Sequence, residues 1–288
     1  ESNKYMLPVK MKKNKLKSID YKIKTKSAQV KSSLMFAALG CETYSHISYN
    51  LHTRDHTEKI LNYLNCDLKI NDRLHIKKST INKGFSLVVP GDISSASFII
   101  AGAILLPGSK IVINDILYNK SRLGFINSLK KMNANICIKN INNDTFESTC
   151  SIVASYSPNL KSAQINSNNI IDLIDEIPIL AIIASQCKGV TVINGTQELK
   201  YKESDRAVGI YKNLKNMGAE IKYSKNKITI NGRNKLYNTT IIHDNDHRIA
   251  MSFELLYLLL NNKLSYKFKK IISISFPDFY SKFDELIS

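Results

Sequence analysis

The chain of 288 residues has no tryptophan, six arginines and 11 glycines, and each scarcity excludes something. No GxGxxG or GxxxxGK run is present, so the glycine-rich phosphate loops of the common nucleotide folds are absent and any anion must be held in another way. No apolar run reaches the ~18 residues that a bilayer span needs, and the two longest, 98–106 and 177–184, read as buried helices. The five cysteines (Cys41, Cys66, Cys137, Cys150, Cys187) form no CxxC pair and lie mostly in apolar patterns, which predicts reduced thiols and a cytoplasmic location. The first residue is Glu1 and no signal peptide is visible, as expected of a processed product or an incomplete sequence.

What is present is a hydrophobic fraction of 43%, enough for a real core and incompatible with global disorder. Against 24 acidic residues stand 41 basic ones, a net charge of +17 that points towards anionic partners, nucleic acid among them. All but six of the basic residues are lysine. Where lysine fills nearly every solvated cationic position, a remaining arginine draws attention for its planar, bidentate fork.

The chain repeats itself. A helix of small and apolar residues is expected at 27–39, 94–106, 176–185 and 246–260, followed in the second and third copies by β-branched strands at 111–113 and 190–193. A second, amphipathic helix followed by a turn and a strand is expected at 57–64 into 68–70, 122–132 into 136–138, and 206–217 into 221–223. The endings Lys131-Met132-Asn133-Ala134 and Asn216-Met217-Gly218-Ala219 are nearly superposable. Units of roughly 65–80 residues exceed solenoid periods, so each is a block of two helices and several strands in a globular α/β (α+β) architecture. A strand is expected to end at Pro90-Gly91, which sets a domain boundary between 1–90 and 91–288. The eight lysines of 10–26 alternate in part with Tyr21, Ile23 and Thr25, which reads as strands with a solvated lysine face or as a nucleic-acid arm.

Helix starts are the remaining anion sites, because their free N–H groups and dipole favour negative charge. Ser27-Ala28-Gln29, Lys202-Glu203-Ser204-Asp205-Arg206 and Asp246-His247-Arg248 stand at three such starts. Lys202 and Arg206 either pair with Glu203 and Asp205 on the surface or, with Arg248, form a convergent anion site. Asp175, before Glu176-Ile177-Pro178, is either an N-cap or a carboxylate able to take a proton from a bound hydroxyl. His52 and His56 have the spacing of a metal pair but no third ligand nearby, so no metal is expected.

These residues resemble one family, the EPSP (5-enolpyruvylshikimate-3-phosphate) synthases of the enolpyruvyl transferase superfamily. The resemblance rests on Ser27-Ala28-Gln29-Val30-Lys31-Ser32, Thr53-Arg54-Asp55-His56-Thr57-Glu58, Gly91-Asp92-Ile93-Ser94-Ser95-Ala96, Asp175-Glu176-Ile177-Pro178, Lys202-Glu203-Ser204-Asp205-Arg206, Asp246-His247-Arg248-Ile249-Ala250-Met251 and Ser275-Phe276-Pro277. They occur in family order over nearly the whole chain, with wording most like the glyphosate-tolerant bacterial subgroup. The resemblance implies two domains of βαβαββ units with helix N-termini facing a cleft. It also implies transfer of the enolpyruvyl group of phosphoenolpyruvate to the 5-hydroxyl of shikimate 3-phosphate, without metal or organic cofactor, nucleic acid or membrane, in a family that is usually monomeric. By position, Asp175, Glu203 and Lys202 are the catalytic group. Ser27, Ala28, Gln29, Arg54, Asp175 and Lys202 are implied to bind shikimate 3-phosphate, and Gln29, Arg206 and Arg248 to bind phosphoenolpyruvate. Arg122 aligns with a structural position, and Arg73 and Arg233 have no implied role.

Departures are visible too. The family pattern is longer, and its N-terminal part supplies a lysine, a serine and two arginines that complete both substrate sites; nothing before Glu1 does so here. The expectation is a fragment whose first domain is incomplete and which is inactive alone. A lysine that some members carry before Ser/Thr-Phe-Pro is Ile274. The rival readings are the enolpyruvyl transferase acting on a UDP-sugar and a non-catalytic basic protein that binds nucleic acid.

Overall fold

Four helices start on capping side chains that the sequence sets before them. Ser27 accepts from Val30 N to open α1 (Ala28–Ala38), and Asp92 accepts from Ser95 N to open α3 (Ile93–Leu105). Asp205 accepts from Val208 N before α6 (Arg206–Asn216), and Asp246 from two backbone N–H groups before α7 (His247–Asn261). The structure, a computed structural model, describes residues 10, 12, 14–49, 53–81 and 84–287, and it divides into units 1–86 and 87–288.

In the first unit, β1 (Asp20–Lys22), α1, β2 (Ser45–Ser48), α2 (His56–Tyr63), β3 (Leu68–Ile70) and β4 (Leu74–Ile76) follow one another. Their sheet has the order β1-β2-β4-β3, with β1 parallel to β2 and the other pairs antiparallel. Ile23, Met35, Ala38, Ile47, Leu61, Cys66, Leu74 and Ile76 make its small core.

The second unit contains this pattern again. β8 (Gln164–Ile165), α5 (Ile177–Gln186), β9 (Val190–Asn194), α6, β10 (Glu220–Ser224) and β11 (Lys227–Asn231) give the order β8-β9-β11-β10, with β8 parallel to β9. Before it, α3, β5 (Lys110–Leu117), α4 (Gly124–Lys131), β6 (Asn135–Asn142) and β7 (Thr149–Ser155) give β5-β7-β6. Gly91 pairs in parallel with Ile116 where the first strand of that copy would lie. The near-superposable endings have a common cause. Ala134 N bonds to Leu129 O and Ala219 N to Leu214 O, closing each helix on a left-handed residue, Asn133 (φ 62°) or Gly218 (φ 93°). The same closure ends α2, where Cys66 N bonds to Leu61 O past Asn65 (φ 56°).

The apolar helices α3, α5 and α7 pack on one another in the centre of the second unit, and their mostly apolar surfaces are buried there. After α7 come α8 (Lys269–Ile272) and α9 (Phe279–Ile287), the latter lying on α3, where Gly102 leaves room for Phe283. All five cysteines are free, and burial pushes the Cys187 thiol up to about 12.

Three expectations are corrected. Of the described part of 10–26, only Asp20–Lys22 forms a strand, because β2 offers it an edge for three register positions and no more; all three of its residues are exposed. No strand ends at Pro90: 84–90 form no ladder, and Val88 and Val89 are exposed. The helix expected at 122–132 is a 3-10 turn, Lys120–Arg122, followed by α4, because Asn119 caps the turn through Ser121 N.

Candidate functional site

In the second unit three segments bring charged side chains together: the turn before α5, the residues leading into α6, and the start of α7. Arg206 is the centre. Its Nε donates to Asp246 Oδ2 at 2.8 Å, its Nη1 to Asp175 Oδ1 at 3.0 Å, and its Nη2 to the carboxylate of Glu203. Lys202 Nζ lies 3.2 Å from the same Asp175 oxygen, and Arg248 Nη1 donates to the Asp175 carbonyl at 3.4 Å. Both arginines and Lys202 therefore converge on one residue, Asp175.

Access differs among the members. The Arg206 and Asp246 side chains are 0% exposed, Asp175 is 12%, Lys202 29% and Glu203 49%. Of the three carboxylates on Arg206, Glu203 is therefore the most exposed. Burial is the largest influence on Arg206 and works against its charge, yet Asp246, Glu203 and Asp175 together hold its pKa above the ordinary value. Next to it, burial and then the Arg248 charge push the His247 pKa down, against the pull of Asp246 and Glu203.

The two open alternatives resolve in part. Asp205 caps α6 rather than pairing with Arg206, and Arg206, itself buried, pairs with the half-exposed Glu203. Asp175 is not the N-cap: Glu176 stands before α5 without a side-chain cap bond, and the Asp175 carboxylate turns to Lys202 and Arg206.

Behind this group runs a second network. Arg122 Nη2 donates to Asp92 Oδ1 at 2.9 Å and Ser94 Oγ at 2.8 Å, and Ser94 donates to the carboxylate of Glu176, which is 1% exposed. Burial lifts the Glu176 pKa above the ordinary value despite the opposing influence of Ser94, Arg122 and Arg248.

In the first unit, Ser27 and Ala28 at the start of α1 are half-buried and Gln29 is exposed, with half-buried Arg54 in the turn before α2. Lys31, 1% exposed, ties these pieces together: it pairs with Glu58, donates from Nζ to Arg54 O at 2.7 Å, and lies 4.7 Å from the centre of the Tyr49 ring. Ser32 and Thr57 share a second link of 2.6 Å between α1 and α2. His52 lies outside the described residues, and among those described no group of three or more His, Cys, Asp or Glu is placed to hold a metal ion.

The model of the EPSP synthase (3-phosphoshikimate 1-carboxyvinyltransferase) family matches residues 1–283. The chain belongs to the EPSP synthase family. A 3-phosphoshikimate 1-carboxyvinyltransferase of Persephonella marina is 37% identical over 287 residues, covering 98% of this chain and 66% of the relative. One of Thermodesulfovibrio yellowstonii is 38% identical over 282 residues, covering 97% and 65%. The chain therefore spans slightly less than two thirds of these relatives' length. A solved EPSP synthase of Acinetobacter baumannii superposes with a TM-score of 0.83 at 31% identity, over 94% of this chain and 62% of that one. The enolpyruvyl transferase NikO of Streptomyces tendae, at 12% identity and a TM-score of 0.58 over 88% of this chain and 58% of that one, shares the fold.

Within this EPSP synthase family member, sequence reasoning missed Lys31, Glu58, Glu176 and Asp246 as parts of the site's support. Two of them carried a signal. Asp246 stands two residues before Arg248 at a helix start, and Lys31 is the one charged residue of α1. The partners of Glu58 and Glu176 come from distant segments and left no local trace.

Proposed function

We propose that the protein is a 3-phosphoshikimate 1-carboxyvinyltransferase, moving the enolpyruvyl group of phosphoenolpyruvate onto the 5-hydroxyl of shikimate 3-phosphate. In this reading the 5-hydroxyl oxygen bonds to C2 of phosphoenolpyruvate as its proton passes to Asp175, while C3 gains a proton. The tetrahedral adduct then loses phosphate from C2 and a proton from C3, leaving the enol ether. Lys202 and Glu203 serve proton transfer at C3 and at the leaving phosphate. Ser27, Ala28, Gln29 and Arg54 bind shikimate 3-phosphate, joined by Asp175 and Lys202. Gln29, Arg206 and Arg248 bind phosphoenolpyruvate, whose carboxylate and phosphate suit guanidinium forks.

The observation that carries the proposal is the convergence of Lys202 and Arg206 on Asp175 Oδ1, at 3.2 and 3.0 Å, with Arg248 on the carbonyl of the same residue. A carboxylate among cations is what a base acting between two anionic substrates would need, and that supports the reading. No organic cofactor or metal enters this scheme, and the working form is a cytoplasmic monomer. No helix among the described residues is long and apolar enough to cross a membrane.

The test is release of phosphate from phosphoenolpyruvate. Release that depends on shikimate 3-phosphate is expected of a protein that carries this chain at its relatives' full length. Release that depends instead on a UDP-sugar, or binding to arbitrary DNA with steep salt dependence and no response to shikimate 3-phosphate, would overturn the proposal.

A further inference from the structure

We infer that Asp246 is a positioning residue that sets both arginines of the candidate phosphoenolpyruvate site at once, an inference that deepens the function proposed above and rests on it. Each oxygen of this carboxylate has a separate task. Oδ1 accepts from the backbone N–H groups of Arg248 at 2.9 Å and Ile249 at 3.4 Å, which caps α7 and fixes the backbone that carries Arg248. Oδ2 accepts from Arg206 Nε at 2.8 Å and Ser204 Oγ at 3.2 Å, which fixes the guanidinium at the first turn of α6 and the segment leading into it.

The choice of residue follows from that division. Serine, threonine or asparagine would cap the helix equally well. None supplies a second acceptor for a guanidinium. Cap residue and arginine are both 0% exposed, so neither charge has water as an alternative partner, and the Arg206 orientation depends on this bond and on Asp175. Glu203, half exposed, is the partner of Arg206 that an incoming anion would displace most readily.

Asp246→Asn separates the two tasks, since the amide oxygen keeps the cap while the amide nitrogen cannot accept from Nε. Wild type and variant are treated with phenylglyoxal, which labels accessible guanidinium groups, and the labelled arginines are located by peptide mass spectrometry. In wild type, Arg206 should react about tenfold more slowly than half-buried Arg248; equal rates overturn the inference. In Asp246→Asn the Arg206 rate should rise about tenfold, and the dissociation constant of phosphoenolpyruvate should rise by about ten- to a hundredfold, while that of shikimate 3-phosphate moves less than about threefold. A merely structural role would shift both constants and the melting temperature together. An Arg206 rate and a phosphoenolpyruvate constant both at wild-type values would overturn the inference. If Asp246→Asn does not fold, Asp246→Ser, a strong cap too short to reach Arg206, gives the same readings. Should wild type, carried at its relatives' full length, bind no phosphoenolpyruvate while the variant still unmasks Arg206, the positioning role stands and the enolpyruvyl reading falls.

Discussion

Asp175 concentrates the chemistry because two cations, Lys202 and Arg206, meet on a single one of its carboxylate oxygens. In a protein that carries this chain at its relatives' full length, replacement by alanine should lower turnover at least ~100-fold, the scale of a lost general base; an undiminished rate of phosphate release would remove Asp175 from the mechanism. Its neighbour Glu176 makes a different prediction. Burial raises its carboxyl above 4.5, so the folded protein holds this proton more tightly than the unfolded chain does. The stability this gives is complete below 4.5 and is lost as pH climbs through the folded-state value. Glu176→Gln, which cannot ionise, should therefore melt higher than wild type at pH ~8 and level with it at pH ~4. Calorimetric melting at the two pH values checks this, and a constant difference would show that ionisation is not the cause. At this scale the sequence was informative where type and position coincide: scarce arginines at helix starts flagged Arg206 and Arg248. It named Glu203 as a partner of Arg206 and Asp175 as a carboxylate near the cations, but not the bond from Arg206 to Asp246, which lies 40 residues further along the chain.

The elements α1 and α2 meet through a buried ion pair, and that pair is itself a test. Lys31→Met would leave the Glu58 charge buried without a partner, at a cost of about 3–5 kcal/mol in urea unfolding. Lys31→Met combined with Glu58→Leu removes both charges and should recover most of that loss. The anchor on the Arg54 carbonyl is not restored by the second change. Affinity for shikimate 3-phosphate should therefore stay low in the double variant while stability returns, a split that titration calorimetry measures. Helices and their closures were legible in the residues, because caps and left-handed turn residues act within a few positions. Met132 and Met217 close the same turn for the same local reason. Strands were less so: alternation at 10–26 has the right period, but pairing needs a partner edge, and β2 supplies it only opposite Asp20, Tyr21 and Lys22.

For the molecule as a whole, the two units differ sharply in how much apolar surface they bury. Among the described residues, eight form the core of the first, whereas the second is built round three packed, mostly apolar helices. Stability grows steeply with the size of such a core, so the first unit should open at lower denaturant than the second. With no tryptophan in the chain, fluorescence cannot assign the steps, but hydrogen exchange read by mass spectrometry can. Peptides from α1 and β2 should lose protection first, and those from α3, α5 and α7 at a higher urea concentration. Lesions in each unit sharpen the expectation. Lys31→Met should move only the first step. Gly232→Ala should move only the second, because a Cβ there would lie 2.0 Å from Cys187 O and 2.6 Å from Ala184 O, backbone atoms at the end of α5 that cannot yield cheaply. A single transition shared by all peptides, shifted equally by both substitutions, would mean that the two cores unfold as one.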